Sequence, residues 1–105
     1  MKFYRVEYSA DSILDIKSIY DYIAYVNKEP QMAQKIAETI DKNINRLSTF
    51  PKRHPLINLF NDETKQLRVF PHKGYLIVYQ IFEEESLVVV VRILDSKQDV
   101  SVNIH

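Results

Sequence analysis

The sequence predicts an α+β domain of order β-α-α-β-β-β, a helical hairpin packed on one face of an antiparallel sheet. Three observations predict it. Two consecutive stretches, between Ser9 and Asn27 and between Pro30 and Thr49, carry apolar residues at helical spacing. Three later stretches, roughly 64–70, 74–82 and 86–95, are rich in β-branched and aromatic residues and are separated by short turn sequences. The chain also has only 105 residues, with one glycine and four prolines, enough for one core and too little for long loops.

Each element follows from local chemistry. Residues 2–8 partly alternate and include Phe3, Tyr4 and Tyr8, which reads as a first strand. Ser9, Asp11 and Ser12 form a helix-start cluster, because their short oxygen side chains can accept the free N–H groups of a first turn. Ile13, Ile16, Tyr20, Ile23 and Ala24 then define an apolar face widened by Ile19 and Val26, with Asp15, Lys17 and Asp21 largely opposite. Tyr22 and Tyr25 fall nearer its flanks. Asn27-Lys28-Glu29-Pro30 ends that helix, and Pro30 suits the first position of the next. The second helix buries Ala33, Ile36, Ala37, Ile40, Ile44 and Leu47, and Phe50-Pro51 stops it. Residues 51–63 mix polar residues with Leu56, Ile57, Leu59 and Phe60, the mark of a packed connector. Pro71-His72-Lys73-Gly74 and Glu83-Glu84-Glu85-Ser86 are hairpin turns. Leu87 to Val91 is continuously apolar, as expected of a central strand or one covered on both sides.

Composition bounds the function. Fourteen basic residues balance fourteen acidic ones, so no global field draws the protein to a polyanion, although positive charge could still gather on one face. The absence of cysteine excludes a disulfide framework and a thiolate metal site. The three histidines lack i, i+3 or i, i+4 spacing, so neither a metal nor a cofactor is expected. No apolar run reaches membrane-span length and the N-terminus lacks a signal-peptide layout, which leads to the expectation of a single soluble cytoplasmic domain over residues 1–105.

Two groups of side chains could carry chemistry. Lys52, Arg53 and His54 form a basic knot after the second helix, readable as a phosphate-contacting patch or, preferably, as cations offsetting the helix dipole. Arg68, His72, Lys73, Tyr75 and Arg92 lie on adjacent strands or on the turn between them, so several could converge on the sheet face left partly open by the helices. Metal-free RNA cleavage must activate a 2′-hydroxyl, stabilise the phosphorane charge and protonate the leaving oxygen. Arginine and lysine suit the second task; histidine and tyrosine suit the others.

An ordered series of short signatures adds to this reading. Ile19-Tyr20-Asp21-Tyr22-Ile23 is followed by Phe50-Pro51-Lys52-Arg53 and Leu67-Arg68-Val69. Gly74-Tyr75-Leu76-Ile77-Val78-Tyr79 and Val91-Arg92-Ile93-Leu94-Asp95-Ser96 complete it. In this order the series resembles the RelE/ParE superfamily, the toxins of bacterial toxin–antitoxin pairs, over nearly the whole chain. The resemblance implies the same β-α-α-β-β-β fold, a structural role for the tyrosine-rich helix, and a cognate antitoxin as partner. RelE-like ribosome-dependent nucleases resemble the chain at Gly74-Tyr75-x-Ile77-Val78-Tyr79-Gln80, but several carry an active-site arginine where this sequence has Leu76. The stretch Asp95 to Asp99 holds only Lys97 as a cation, and His105 is a stand-in for a C-terminal histidine. The motifs around Arg68 and Arg92 look more like the ParE branch, whose members poison DNA gyrase.

The sequence therefore leads to a toxin that poisons DNA gyrase, with Arg68, Lys73, Arg92 and Lys97 meeting the target from the exposed sheet face and tail. An mRNA interferase acting on ribosome-bound mRNA, with Arg68, His72 and Tyr75 as its catalytic set, is the second reading. A non-toxic family member serving only as a binding module is the third.

Overall fold

The computed structural model describes residues 1–58 and 65–97. Strand β1 (Arg5–Tyr8) leads into helix α1 (Ala10–Asp21), which widens into a π-helical turn at Tyr22–Val26. Helix α2 (Pro30–Asn45) tightens into a 3-10 turn at Arg46–Ser48, and a second 3-10 turn at Pro51–Arg53 precedes the two-residue strand β2 (Leu56–Ile57). Strands β3 (Leu67–His72), β4 (Tyr75–Phe82) and β5 (Leu87–Asp95) follow. The sheet runs β1-β5-β4-β3-β2.

Pairing corrects one expectation. The sheet is mixed rather than antiparallel, because β1 lies parallel to β5 with Arg5 opposite Leu87 and Tyr8 opposite Val90. Tight turns force antiparallel neighbours on β3, β4 and β5; a crossover through two helices imposes no such reversal. Strand β5 is thereby flanked by β1 and β4, as its apolar run implied. Lys73 and Gly74 both have positive φ (47° and 88°), the signature of a two-residue type I′ hairpin. Pro71 and His72 consequently belong to β3, opposite Leu76 and Tyr75, and not to the turn. The missing N–H of Pro71 is tolerated because β2 pairs only with Leu67 and Arg68, leaving that part of β3 an edge.

Helix α1 begins where the cluster of short polar residues placed it. Ser9 Oγ accepts from the Ser12 N–H at 3.1 Å and donates to the Val91 carbonyl at 2.8 Å. The same Ser9 donates its N–H to the Val90 carbonyl, so the helix start covers the edge of β5 just where β1 ends. At the other end, the π-turn closes with the Asn27 N–H on the Tyr22 carbonyl at 3.0 Å, and Lys28 reverses the chain at φ 56°. A π-turn changes the angular step per residue. Ile23 and Ala24 are buried against Ala33, while Val26, expected on the apolar face, is 63% exposed. Ile13 is exposed as well, at the rim of a shallow apolar depression shared with Tyr8, Ile16 and Tyr20.

The main core joins Ile40, Ile44 and Leu47 to Phe70, Ile77, Tyr79, Val88 and Val90. Burying one aliphatic side chain of this size contributes about 1.5–3 kcal/mol, so the apolar stripe of α2 is what fixes it on the sheet. The opposite sheet face is less open than the sequence led one to expect. It carries a second cluster of Ile57, Leu67, Val69 and Val78, with Leu67 and Val78 each 1% exposed.

Candidate functional site

Cross-strand partners share a side of the sheet, and Arg68 stands opposite Tyr79 and Phe70 opposite Ile77. Tyr79, Phe70 and Ile77 belong to the core under α2. Alternation therefore puts Arg68, Phe70 and His72 on the helix side of β3, not on the face where Arg68 was expected to meet a target.

The connector after α2 roofs this surface. Phe50 takes a left-handed conformation at φ 48°, which turns the chain back over the sheet before Pro51. The buried Tyr79 hydroxyl donates to the Pro51 carbonyl. Arg68 Nη1 donates to the carbonyls of His54 (2.6 Å) and Lys52 (3.2 Å). Arg53 Nη2 donates to the Arg46 carbonyl at 3.3 Å, satisfying a helix end, and its Nε donates to His54 Nε2, also at 3.3 Å. The His54 ring stacks on Phe70 with centroids 4.7 Å apart. Partial burial and the Arg53 guanidinium hold the His54 pKa below its ordinary value, so near neutral pH the imidazole is uncharged and Nε2 can accept.

The result is a groove of ≈ 800 Å³ between the end of α2 and β3, lined by Lys42, Asn43, Arg46, Thr49, Arg53, His54 and Phe70, with Arg68 beneath its rim. No carboxylate is among those lining residues. On a chain of zero net charge this is a local positive field suited to an anionic surface. Within the Lys52-Arg53-His54 knot, Arg53 meets a helix end, as the dipole reading expected, and also lines the groove. Lys42 and Arg46 were missed. Their i, i+4 spacing across the end of α2 and the 3-10 turn that continues it was the available signal, since it places two like charges on one flank.

His72, Lys73 and Tyr75 lie elsewhere. They line a notch against α2 with Lys35, Ile36 and Thr39. His72 lies four positions beyond Arg68 on the strand, about 13 Å at the rise of a β-strand, and Phe70 stands between them. Burial and Lys73 lower the His72 pKa, and burial and Asp95 raise that of Tyr75, so both are neutral near pH 7. The proposed catalytic set of Arg68, His72 and Tyr75 is therefore divided between two sites.

Arg92 forms a third site with a structural character. Its Nε and Nη2 donate to the Asp15 carboxylate at 2.8 and 3.0 Å, and Asp15 also accepts from the Ile93 N–H at 2.8 Å. Asp15, expected on the solvent side of α1, is only 16% exposed in its side chain, and the pair pins α1 to the uncovered edge of β5. Lys97 is exposed, with its N–H on the Asp95 carboxylate. His105 and the rest of 98–105 lie outside the described residues. Among the described residues no group of three metal-ligating side chains occurs, and no helix is long and apolar enough to cross a membrane.

Comparison with known proteins places the fold and the family. The profile of the family described as "ParE toxin of type II toxin-antitoxin system, parDE" matches residues 6–100. The fold is similar to that of a solved chain of the chromosomal ParDE toxin–antitoxin system from P. aeruginosa, with a TM-score of 0.70 and 14% identity over 90% of this chain and 98% of that one. It is also similar to a chain of the RelBE2 toxin–antitoxin complex from Mycobacterium tuberculosis, with a TM-score of 0.60 and 19% identity over 90% and 93% of the two chains. No curated protein sequence matches. With the family profile spanning nearly the whole chain on a fold shared with both neighbours, the chain belongs to the ParE toxin family of type II toxin–antitoxin systems, within the RelE/ParE superfamily.

Proposed function

We propose that the chain arrests growth by poisoning DNA gyrase and that a cognate antitoxin bound to the toxin relieves the arrest. The observation that carries this choice of target is the division of the nuclease set: Arg68 is tied to backbone carbonyls at one end of β3 while His72 and Tyr75 line a separate notch. A poison needs no convergent acid and base; it needs an exposed binding surface. Lys73 and Lys97 are exposed, and the groove beside Arg68 supplies further cations. Arg92 contributes to that surface only through its shape, because Asp15 neutralises it. The site of action of such a toxin is the cytoplasm, where gyrase works.

The test is a gyrase supercoiling and cleavage assay with purified protein, with and without ATP. Inhibition of supercoiling or trapped double-strand breaks is the expected result. Protein that stops growth yet leaves gyrase untouched overturns the assignment.

One observation favours the mRNA-interferase reading in modified form. The neutral His54 sits in the same groove as Arg53 and Arg46, beside Arg68. If ribosome-bound mRNA is the target, His54, not His72, is the base and the arginines stabilise the phosphorane. Cleavage of ribosome-bound mRNA that His54→Gln abolishes and His72→Gln spares would select it.

A further inference from the structure

Apart from the exposed Lys73 at its opening, the notch that holds His72 is not used by either reading of the target. It is a cleft of ≈ 320 Å³ between α2 and the β3–β4 turn, large enough for a dipeptide-sized ligand. Its chemistry is divided. Met32, Ile36 and Ile40 give it an apolar wall, and Lys35 and Lys73 bring two cations to the opening. The type I′ turn, with Lys73 at φ 47°, fixes where the second cation leaves the backbone. His72 Nε2 is shut off from solvent and has no hydrogen-bond partner among the described residues. A buried ring nitrogen without a partner costs free energy, and a charged ligand seated in the notch, which the half-buried His72 ring lines, acts on that ring through its field.

The charged and titratable groups that face His72 are Lys35 from α2, Lys73 from the turn and Tyr75 from β4. Among the described residues, Asp95 stands opposite Tyr75 on β5 and is not among those lining the notch. The local balance is therefore positive, and a guest that brings its own negative charge is favoured. A nucleic-acid backbone would satisfy the lysines but leave the apolar wall empty, and the larger groove at Arg46 and Arg53 suits such a ligand better.

We infer that this notch binds an acidic peptide segment, with a carboxylate side chain between Lys35, His72 and Lys73 and a neighbouring aliphatic side chain against Met32, Ile36 and Ile40. The segment belongs to the antitoxin. The inference rests on the toxin–antitoxin reading of the partner and adds where one of its acidic residues is held. Binding of a carboxylate favours the protonated imidazole, so the His72 titration midpoint rises on occupation.

The experiment follows the His72 ring by NMR in the full-length labelled protein, assigned with His72→Gln, during titration with acetyl-Leu-Glu-amide. Acetyl-Leu-Gln-amide and inorganic phosphate serve as the comparison probes. The expected result is a saturable shift with the Glu peptide only, and a rise in midpoint of about half a pH unit, a roughly threefold preference for the protonated ring. Lys35→Ala and Lys73→Ala, checked for an unchanged fold by circular dichroism, should each weaken that binding at least about fivefold. Equal response to the Gln peptide, response to phosphate alone, or silence at His72 overturns the proposal. Growth arrest on expression of the chain, relieved by a co-expressed antitoxin, tests the partner separately. If the toxin–antitoxin complex forms and Lys35→Ala, Lys73→Ala and His72→Gln all leave its affinity unchanged, the pairing stands and the notch assignment falls.

Discussion

Arg68 and Arg92 look alike in the sequence: each stands in a strand, flanked by aliphatic residues, in a position where a target-binding cation was expected. The fold treats them differently. Arg92 meets a carboxylate, and the pair with Asp15 cancels its charge while tying α1 to β5. Arg68 meets two carbonyls, which orient the guanidinium without removing its charge. One arginine has become part of the scaffold. The other holds the connector over β3 and still adds to the positive field of the groove.

The largest effect expected from breaking this contrast is on the scaffold side. Asp15→Ala leaves the half-buried Arg92 and the Ile93 N–H without their acceptor, and should lower unfolding free energy by about 2–4 kcal/mol in a urea titration. The figure is set below that of a fully buried pair because the Arg92 side chain is 34% exposed. Pairing Asp15→Ala with Arg92→Met should recover part of the loss; a double variant no more stable than Asp15→Ala alone would deny the pair its role.

Tyr79→Phe comes next. It strips the buried donor from the Pro51 carbonyl and should cost about 1–2 kcal/mol by the same titration. Because Pro51 begins the roof over Arg68, the variant should also weaken target inhibition.

Arg68→Ala sharpens the comparison most directly. Two partly exposed hydrogen bonds are lost, about 1 kcal/mol of stability, whereas gyrase inhibition should fall roughly tenfold or more because a cation beside the groove is lost. Arg68→Lys, which keeps charge but not the fork, should fall between. Equal loss of stability and activity in Arg68→Ala and Arg92→Ala would erase the distinction.

The smallest effect is in pH. His54 and His72 both have pKa values below the ordinary 6.5 when folded, so the unfolded chain takes up protons first as pH falls. The stability they contribute is present above about pH 6.5 and is lost as pH drops through their lower folded values. A modest fall in Tm from pH 7.5 to 5.5 is expected, and His54→Gln with His72→Gln should flatten it. Glu83, which the Tyr4 hydroxyl and Lys2 hold at about 2, adds a loss in a separate window below its usual 4.5.

Much of the fold was legible because its causes are local. Ser9 caps α1, Pro30 opens α2, and the β3–β4 and β4–β5 turns lie in their expected segments, since each depends on side chains within a few positions. The apolar stripe of α2 predicted Ile40, Ile44 and Leu47 in the core for the same reason. The candidate site was half legible. The residue types at Arg68, His72 and Tyr75 stood out, but their distribution between two sites did not, because alternation gives a side of the strand and not a neighbour across it.

By itself, then, the sequence determined the two helices and the four longer strands, their order, the helical hairpin and, through its motifs, the family, while the two-residue β2 lay hidden in the packed connector. Only the tertiary structure decided that β1 runs parallel to β5, that Asp15 turns inward to Arg92, and that Lys42, Arg46 and His54 gather beside Arg68. These contacts join residues far apart in the chain: Arg92 stands 77 positions after Asp15, and Arg68 stands 14 after His54. Periodicity and capping act over one or two helical turns and carry no information about which distant partner will be met. That choice is made when the apolar faces are buried together, and the charges settle where the packing brings them.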